Sequence, residues 1–332
     1  MNLTPEQREI GKQNFNEALG TTRRDFLKGA IVSGAVTSGA LGAMYFGYGG
    51  KVDEPVRVGI IGTGDEGGVL IGALNPEYVD VVALADLRPY SIHRAFYGDP
   101  GNPVARPGLN KVYGWTEEEA KQVSVYRGEY DELLDDENVE AVIIALPLWL
   151  HHPASIKAMR KGKHVLTEKL MGKTVAQCKE MGRVAEAENM LLATGHQRHY
   201  SILYANAVDQ IRRGMIGDLH HIRAQWHRSN LPGRDSWSPP LPVPGLSEAE
   251  YIALRRATRK EKGTAGELAL RNEYKILEKL HKLEAQLAKE KDAVKAESIA
   301  NQLGIARIQL ADAEVDAEKY GYEAKTLPSG YH

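Results

Sequence analysis

Val56-Arg-Val-Gly-Ile-Ile-Gly62-Thr-Gly64-Asp-Glu-Gly67 is the stretch whose reading decides the fold. A short β-branched run leads straight into glycines spaced G-x-G-x-x-G, and a segment of helical character follows. Each glycine has its own task in such a turn: Gly62 permits the tight bend, Gly64 lets the backbone approach a pyrophosphate, and Gly67 lets helix pack on strand. The helix opening here offers N–H groups and the positive end of its dipole. Gly62, Thr63, Gly64, Glu66 and Gly67 are therefore the expected phosphate-side contacts of a dinucleotide.

A second apolar run, Val79-Asp-Val-Val-Ala-Leu-Ala-Asp86, ends in a carboxylate nineteen residues after Gly67, where folds of this kind hold an adenosine ribose. Asp86 would accept the ribose hydroxyls and repel a 2′-phosphate, which favours NAD. Arg88, two residues on, is placed to pair with that phosphate and keeps NADP open.

Outward from this core, strands are expected over 123–126, 139–146, 163–167 and 190–194, with helices over 129–134, 153–160 and 174–188 between them. The run Val139-Glu-Ala-Val-Ile-Ile-Ala-Leu146 is apolar enough to be buried on both faces, and Pro147 closes it. Residues 87–113, rich in Pro, Gly and Arg, read as an enlarged loop with some helix. Six strands with helical crossovers make an α/β fold, a Rossmann-type doubly wound parallel sheet over residues 51–196. Ligand chemistry in such sheets lies beyond the carboxyl ends of the strands.

Composition narrows the class only mildly. The chain has 332 residues, 42% of them hydrophobic, and a formal charge of −2, which gives no footprint for nucleic acid. Cys178 is the single cysteine, so neither a disulfide framework nor a thiolate metal site is available. Residues 1–50 form a separate region. Thr22-Arg-Arg24-Asp-Phe-Leu-Lys28 precedes an uncharged run rich in Gly, Ala and Ser, which resembles a twin-arginine export signal and implies the twin-arginine translocation machinery as a partner and a periplasmic destination. The alternative is an uncleaved membrane anchor, since the run is long enough to span a bilayer.

At the strand ends stand Pro147-Leu-Trp-Leu-His151-His152, Glu168-Lys169-Leu170 and Gly195-His-Gln197-Arg198-His-Tyr200, with Gly162-Lys-His-Val165 opening the fifth strand. With these four motifs in order over roughly residues 54–228, the chain resembles the glucose-fructose oxidoreductase/inositol dehydrogenase/MocA family of nicotinamide-dependent enzymes. One departure is Leu170, where the family usually has proline. The resemblance implies hydride transfer to or from a sugar, cyclitol or similar polyol. It places Lys169 at the nicotinamide and the substrate hydroxyl, where a desolvated lysine can relay a proton; the alternative is a solvated lysine at a strand end. Glu168 would orient Lys169 or contact the nicotinamide ribose. His151 would cover the cofactor or contact substrate, against a surface histidine opening a helix. Pro147, Gln197 and Arg198 complete the implied cofactor contacts, with interdomain salt bridging as the other role for Arg198. No metal is expected, because the histidines lack partner spacing. Relatives of this fold include glycosidases that oxidise the sugar transiently with bound NAD, and a non-catalytic nucleotide-binding or assembly protein is a third reading.

Residues 197–245 read as the start of a substrate and oligomerisation domain: a helix over 203–213, then an alternating strand over 219–228, whose polar face either lines the site or meets water. From 246 to 322 the chain is charged and rich in Ala and Leu. Ser247 and Glu250 have capping-box spacing, and Ile276, Leu280, Leu283 and Leu287 face Ile299, Leu303, Ile308 and Leu310 in an expected coiled-coil-like helical hairpin. Its expected use is structural, in a homo-oligomer. The tail over 323–332 ends before the remaining strands and the Asp/His acid–base helix of the family, so a fragment of a longer protein is expected; the other readings are a missing part supplied by another chain, or lost activity.

Overall fold

The computed structural model describes residues 54–225, 241–316 and 318–320, together with Pro5. The expected export signal, residues 226–228 of the expected strand and the tail over 323–332 lie outside the described residues. The chain divides into two compact units, residues 55–193 with 230–332 and residues 194–229 with 1–54.

The first unit is organised around a six-stranded sheet. Its strands are β1 Val56–Ile61, β2 Val79–Ala85, β3 Ser124–Tyr126, β4 Ala141–Ile144, β5 His164–Thr167 and β6 Leu192–Thr194. The order across the sheet is β3-β2-β1-β4-β5-β6, with parallel pairing of β1 with β2 and β4, β2 with β3, and β4 with β5. Strand order reverses between β1 and β4, and that switch point opens a crevice at their carboxyl ends. The central strands are apolar throughout because both faces are covered. Ile60 joins Ile71, Leu84 and Leu109 on one side, while the adjacent Ile61 joins Ile144, Met159 and Met181 on the other.

The helices of this layer are α1 Asp65–Gly72, α2 Pro89–Tyr97, α3 Leu109–Tyr113, α4 Glu117–Ala120, α5 Asp131–Asp135, α6 His151–Arg160 and α7 Val175–Ala187. The stretch over 87–113, expected to be an enlarged loop with some helix, holds two helices. Pro89 sits at the first helical turn of α2, where its missing N–H costs nothing, and Gly98 ends the helix at φ 83°. The Gly162-Lys-His-Val165 segment works at the opposite, amino-terminal end of the sheet. Lys163 Nζ donates to the carbonyls of Asp136 and Val139 at 2.8 and 2.7 Å, and His164 Nδ1 accepts from Leu191 N at 3.0 Å.

A helical arm follows: α9 Glu248–Glu273, α10 Lys275–Leu287 and α11 Ala293–Ala311. The capping box at Ser247 and Glu250 is formed, and Gly263 (φ 66°) interrupts α9. Helices α10 and α11 pack through Leu280, Leu283, Leu303 and Ala306, flanked by Leu287, Ile299 and Leu310. The arm also returns to its own sheet layer, with α11 against α2.

In the second unit, α8 Ile202–Arg212 follows a 3-10 turn over Gln197–Tyr200. Leu203, Val208, Ile211 and Met215 are exposed. The strand expected from 219 is absent over the described residues 219–225, which are all exposed and without regular structure. An alternating sequence becomes a strand only where a neighbour takes up its backbone N–H and C=O groups.

Gly67 is the tightest joint in the sheet layer: a Cβ there would lie 2.2 Å from the Gly62 carbonyl oxygen. Gly67→Ala is expected to cost about 1–3 kcal/mol, the range for an extra methyl forced into a packed site. A urea midpoint unchanged from wild type would contradict this packing.

Candidate functional site

A cavity of about 530 Å³ opens at the carboxyl ends of β1, β2, β4 and β5, within the usual size range of small-molecule sites. Of the residues singled out from the sequence, Gly62, Gly64, Glu66, Asp86, Arg88, Pro147, His151, Glu168 and Lys169 line it. Thr63 and Gly67 lie just behind the wall. Gln197 and Arg198 belong to the second unit, where the Arg198 guanidinium stacks over the Tyr204 ring at 5.6 Å.

The phosphate end is set by the β1–α1 turn. Gly62 turns at φ 88°, and Gly64 caps α1 with no side chain bonding to the helix terminus, so the first N–H groups point toward the cavity uncapped. Asp65 and Glu66 put two carboxylates in that same first turn. The charge on Asp65 is offset: Arg94 and Arg106 reach its carboxylate at 2.7 and 3.5 Å, and both also pair with Asp99.

At the ribose end, the Asp86 carboxylate is oriented by three donors. Thr63 N and Thr63 Oγ1 donate to one oxygen at 2.7 and 3.0 Å, and Arg88 N donates to the other at 2.8 Å. Thr63, 1% exposed, therefore acts by fixing Asp86. Arg88 is buried as well. Its Nε donates to Asp312 Oδ2 at 2.7 Å, while Asp312 Oδ1 accepts Tyr90 N at 2.9 Å. Burial pushes the Asp312 carboxyl above its usual value against the pull of Arg88. Tyr320 and Lys319 from the end of the arm complete this wall, and Tyr320 packs with Leu87, Trp149, Leu150, Leu241 and Val315. Among these contacts, Asp312 and Tyr320 carried no sequence signal: nothing in their local spacing links them to a loop more than two hundred residues earlier.

The reacting end lies where β4 and β5 finish. His151 opens α6, is 1% exposed, and faces two backbone carbonyls, Leu146 O through Nε2 and Leu170 O through Nδ1, each at 2.7 Å. The structure thus places the histidine expected at the cofactor in the cavity lining, between two carbonyl oxygens. A neutral ring has one N–H and donates to one of these carbonyls at a time, bridging the turn after β4 and the turn after β5. Burial holds its pKa below the usual value, and the charge on Lys169 acts in the same direction. Lys169 is half-buried in the wall, followed by a cis peptide bond to Leu170. Glu168 is 4% exposed, and its Oε2 accepts Lys169 N at 3.1 Å. Burial, reinforced by Glu66, pushes the Glu168 carboxyl up.

An uncapped helix terminus after a glycine turn, an oriented carboxylate at the end of the second strand and a cavity across the switch point define a dinucleotide-binding domain. Residues 56–196 match the model of the Gfo/Idh/MocA family, described as an oxidoreductase family with an NAD-binding Rossmann fold, and they form an NAD(P)-binding domain of that kind. Among curated relatives, a glycosyl hydrolase family 109 protein of Solibacter usitatus is 26% identical over 219 residues, 62% of this chain and 46% of that protein. An uncharacterized oxidoreductase of Schizosaccharomyces pombe is 32% identical over 123 residues, 37% of this chain and 33% of that protein. The chain thus spans about half or less of the curated relatives it matches. A solved 3-ketoreductase from Actinomadura kijaniata in complex with NADP is 24% identical, covering 50% of this chain and 46% of that one with a TM-score of 0.39.

Glu168 gives the site a pH signature. Its folded pKa lies above the ordinary 4.5, so the folded protein holds this proton more tightly than the unfolded chain. The resulting stability is fully present below the unfolded value and is lost as pH rises through the raised folded one. Glu168→Gln, which keeps an acceptor for Lys169 N, is expected to raise Tm relative to wild type at pH 7.5 and to match wild type near pH 4. A Tm difference independent of pH would refute this.

Proposed function

We propose that the chain is the cofactor-binding part of an exported NAD(P)-dependent oxidoreductase that transfers hydride to or from a carbon bearing a hydroxyl on a sugar, cyclitol or similar polyol. The observation that carries the reading is the convergence of Gly62, Gly64, Asp86, Glu168 and Lys169 on one cavity within a segment that matches an NAD-binding oxidoreductase family. When bound, the nicotinamide supplies the hydride chemistry. The uncapped N–H groups of α1 hold the pyrophosphate, and Asp86 takes the ribose hydroxyls. Lys169, fixed from one side by Glu168 and from the other by the turn that His151 pins, exchanges a proton with the substrate hydroxyl. Pro147 and the Leu146 carbonyl bound by His151 shape the nicotinamide side.

Lys169→Ala is expected to leave nucleotide affinity nearly intact and to lower turnover by about a hundredfold or more, the scale for losing a positioned acid–base group. Gly64→Val is expected to lose nucleotide affinity first, since a side chain would stand where the pyrophosphate lies. Titration of both variants with NADH, followed by turnover on a panel of polyols, separates the two effects; full turnover in Lys169→Ala would remove the lysine from the mechanism.

A second reading has its own support. Several relatives are named glycosyl hydrolase family 109 proteins, and one from Shewanella oneidensis is named an alpha-N-acetylgalactosaminidase at 26% identity. In a glycosidase that oxidises its sugar transiently, glycoside cleavage proceeds without net NADH, whereas a dehydrogenase accumulates NADH. That single comparison decides between them, and failure of both would favour a nucleotide-binding module without catalysis.

Export is supported by Arg23 and Arg24 ahead of the uncharged run. Replacing both by lysine is expected to leave the precursor in the cytoplasm, because Lys does not reproduce the planar guanidinium pair. Undiminished export in cell fractionation would overturn the signal.

A further inference from the structure

Among the described residues that line the cavity, Arg88 brings the one guanidinium beside the ribose carboxylate, and the helical arm holds it. Arg88 and Asp86 both line the cavity at the end of β2, and Arg88 is the cation nearest in sequence to the place where a 2′-phosphate would sit. Its Nε is committed to Asp312 at 2.7 Å, with the side chains 10% and 1% exposed. Asp312 is in turn fixed by Tyr90 N at 2.9 Å, so the carboxylate cannot swing away without losing a second bond. A phosphate entering here would meet the carboxylate of Asp86 beside an arginine that is paired with the buried Asp312 carboxylate behind it. Ribose hydroxyls, being donors, would meet an acceptor.

We propose that Asp312 is a specificity determinant: by pairing with Arg88 at the ribose end of the cavity, it makes the site select NAD over NADP. The proposal rests on the nucleotide-binding reading of the cavity and adds to it a residue from outside the matched domain. It has a defined chemical consequence. In Asp312→Asn the side-chain oxygen still accepts Tyr90 N, but the amide group turned toward Arg88 is a donor facing a donor. The Arg88 Nε thereby loses its acceptor on Asp312, and a guanidinium fork held less firmly can turn to a phosphate, whose geometry it matches. Asp312→Ser keeps an acceptor for Tyr90 N in a smaller side chain and removes the charge opposite Arg88 by a different route.

The test is direct titration of the full chain with NADH and NADPH, followed by the fluorescence of the bound dihydronicotinamide, with circular dichroism to establish folding. Wild type is expected to bind NADH more tightly than NADPH. Asp312→Asn and Asp312→Ser are expected to tighten NADPH by about tenfold, the scale of one charge-assisted hydrogen bond, with a smaller change for NADH. Adding Arg88→Gln to either variant is expected to abolish the gain. A folded variant with an unchanged NADPH to NADH ratio would overturn the proposal, as would a gain that survives Arg88→Gln. Binding of neither nucleotide by wild type would instead overturn the reading on which the proposal rests.

Discussion

The structure depends on how closely three backbone segments approach one another at the end of β1. A side chain on Gly67 would come within 2.2 Å of the Gly62 carbonyl oxygen, and one on Gly62 within 2.5 Å of the Ala145 carbonyl oxygen. Helix α1 can therefore start directly over the sheet, and the end of β4 can run directly beside the turn. Separation of either joint by the width of a methyl group would move the helix terminus away from the crevice at the switch point. The dipole of α1 would then be aimed at solvent, and the geometry that suits a pyrophosphate would be lost.

The site is built by loops that hold one another. His151 bridges the turn after β4 and the turn after β5, and Asp86 bonds the glycine turn to the start of α2. Such cross-ties give the carboxyl edge of a parallel sheet the rigidity that loops lack alone. The acidic first turn of α1 sits opposite to what an anion site wants, and the Arg94 and Arg106 pairing with Asp65 is the local compensation. The charge on Glu66 adds to the field that keeps Glu168 easily protonated.

The sheet was legible because its signals are local. Glycines at fixed spacing, β-branched runs and an acid at the end of the second run all lie within a few tens of residues of each other, and their periods translate directly into strands and helices. The stretch over 87–113 was read as an enlarged loop with some helix, but the helix bounds were not placed, although Pro89 in the first turn and Gly98 past the last are the marks of a short helix. His151 could be placed at a strand end, but its role could not be read, since its partners are carbonyl oxygens whose positions the sequence does not encode. Asp312 is the extreme case. Its bond to Arg88 joins residues 224 apart, and no pattern of period two or 3.6 reaches that far.

That separation has a consequence in time. A ribosome adding about 5–20 residues per second takes roughly 10–45 s to travel from Arg88 to Asp312. Once Thr194 has been made, and for the rest of that interval, the sheet layer can be complete while Asp312 and the wall supplied by Lys319 and Tyr320 have not yet been made. Nucleotide arriving during synthesis meets a shallow, unwalled crevice; nucleotide arriving afterwards must pass an arm that is already docked. Loading and retention thus fall at different stages in the life of the chain.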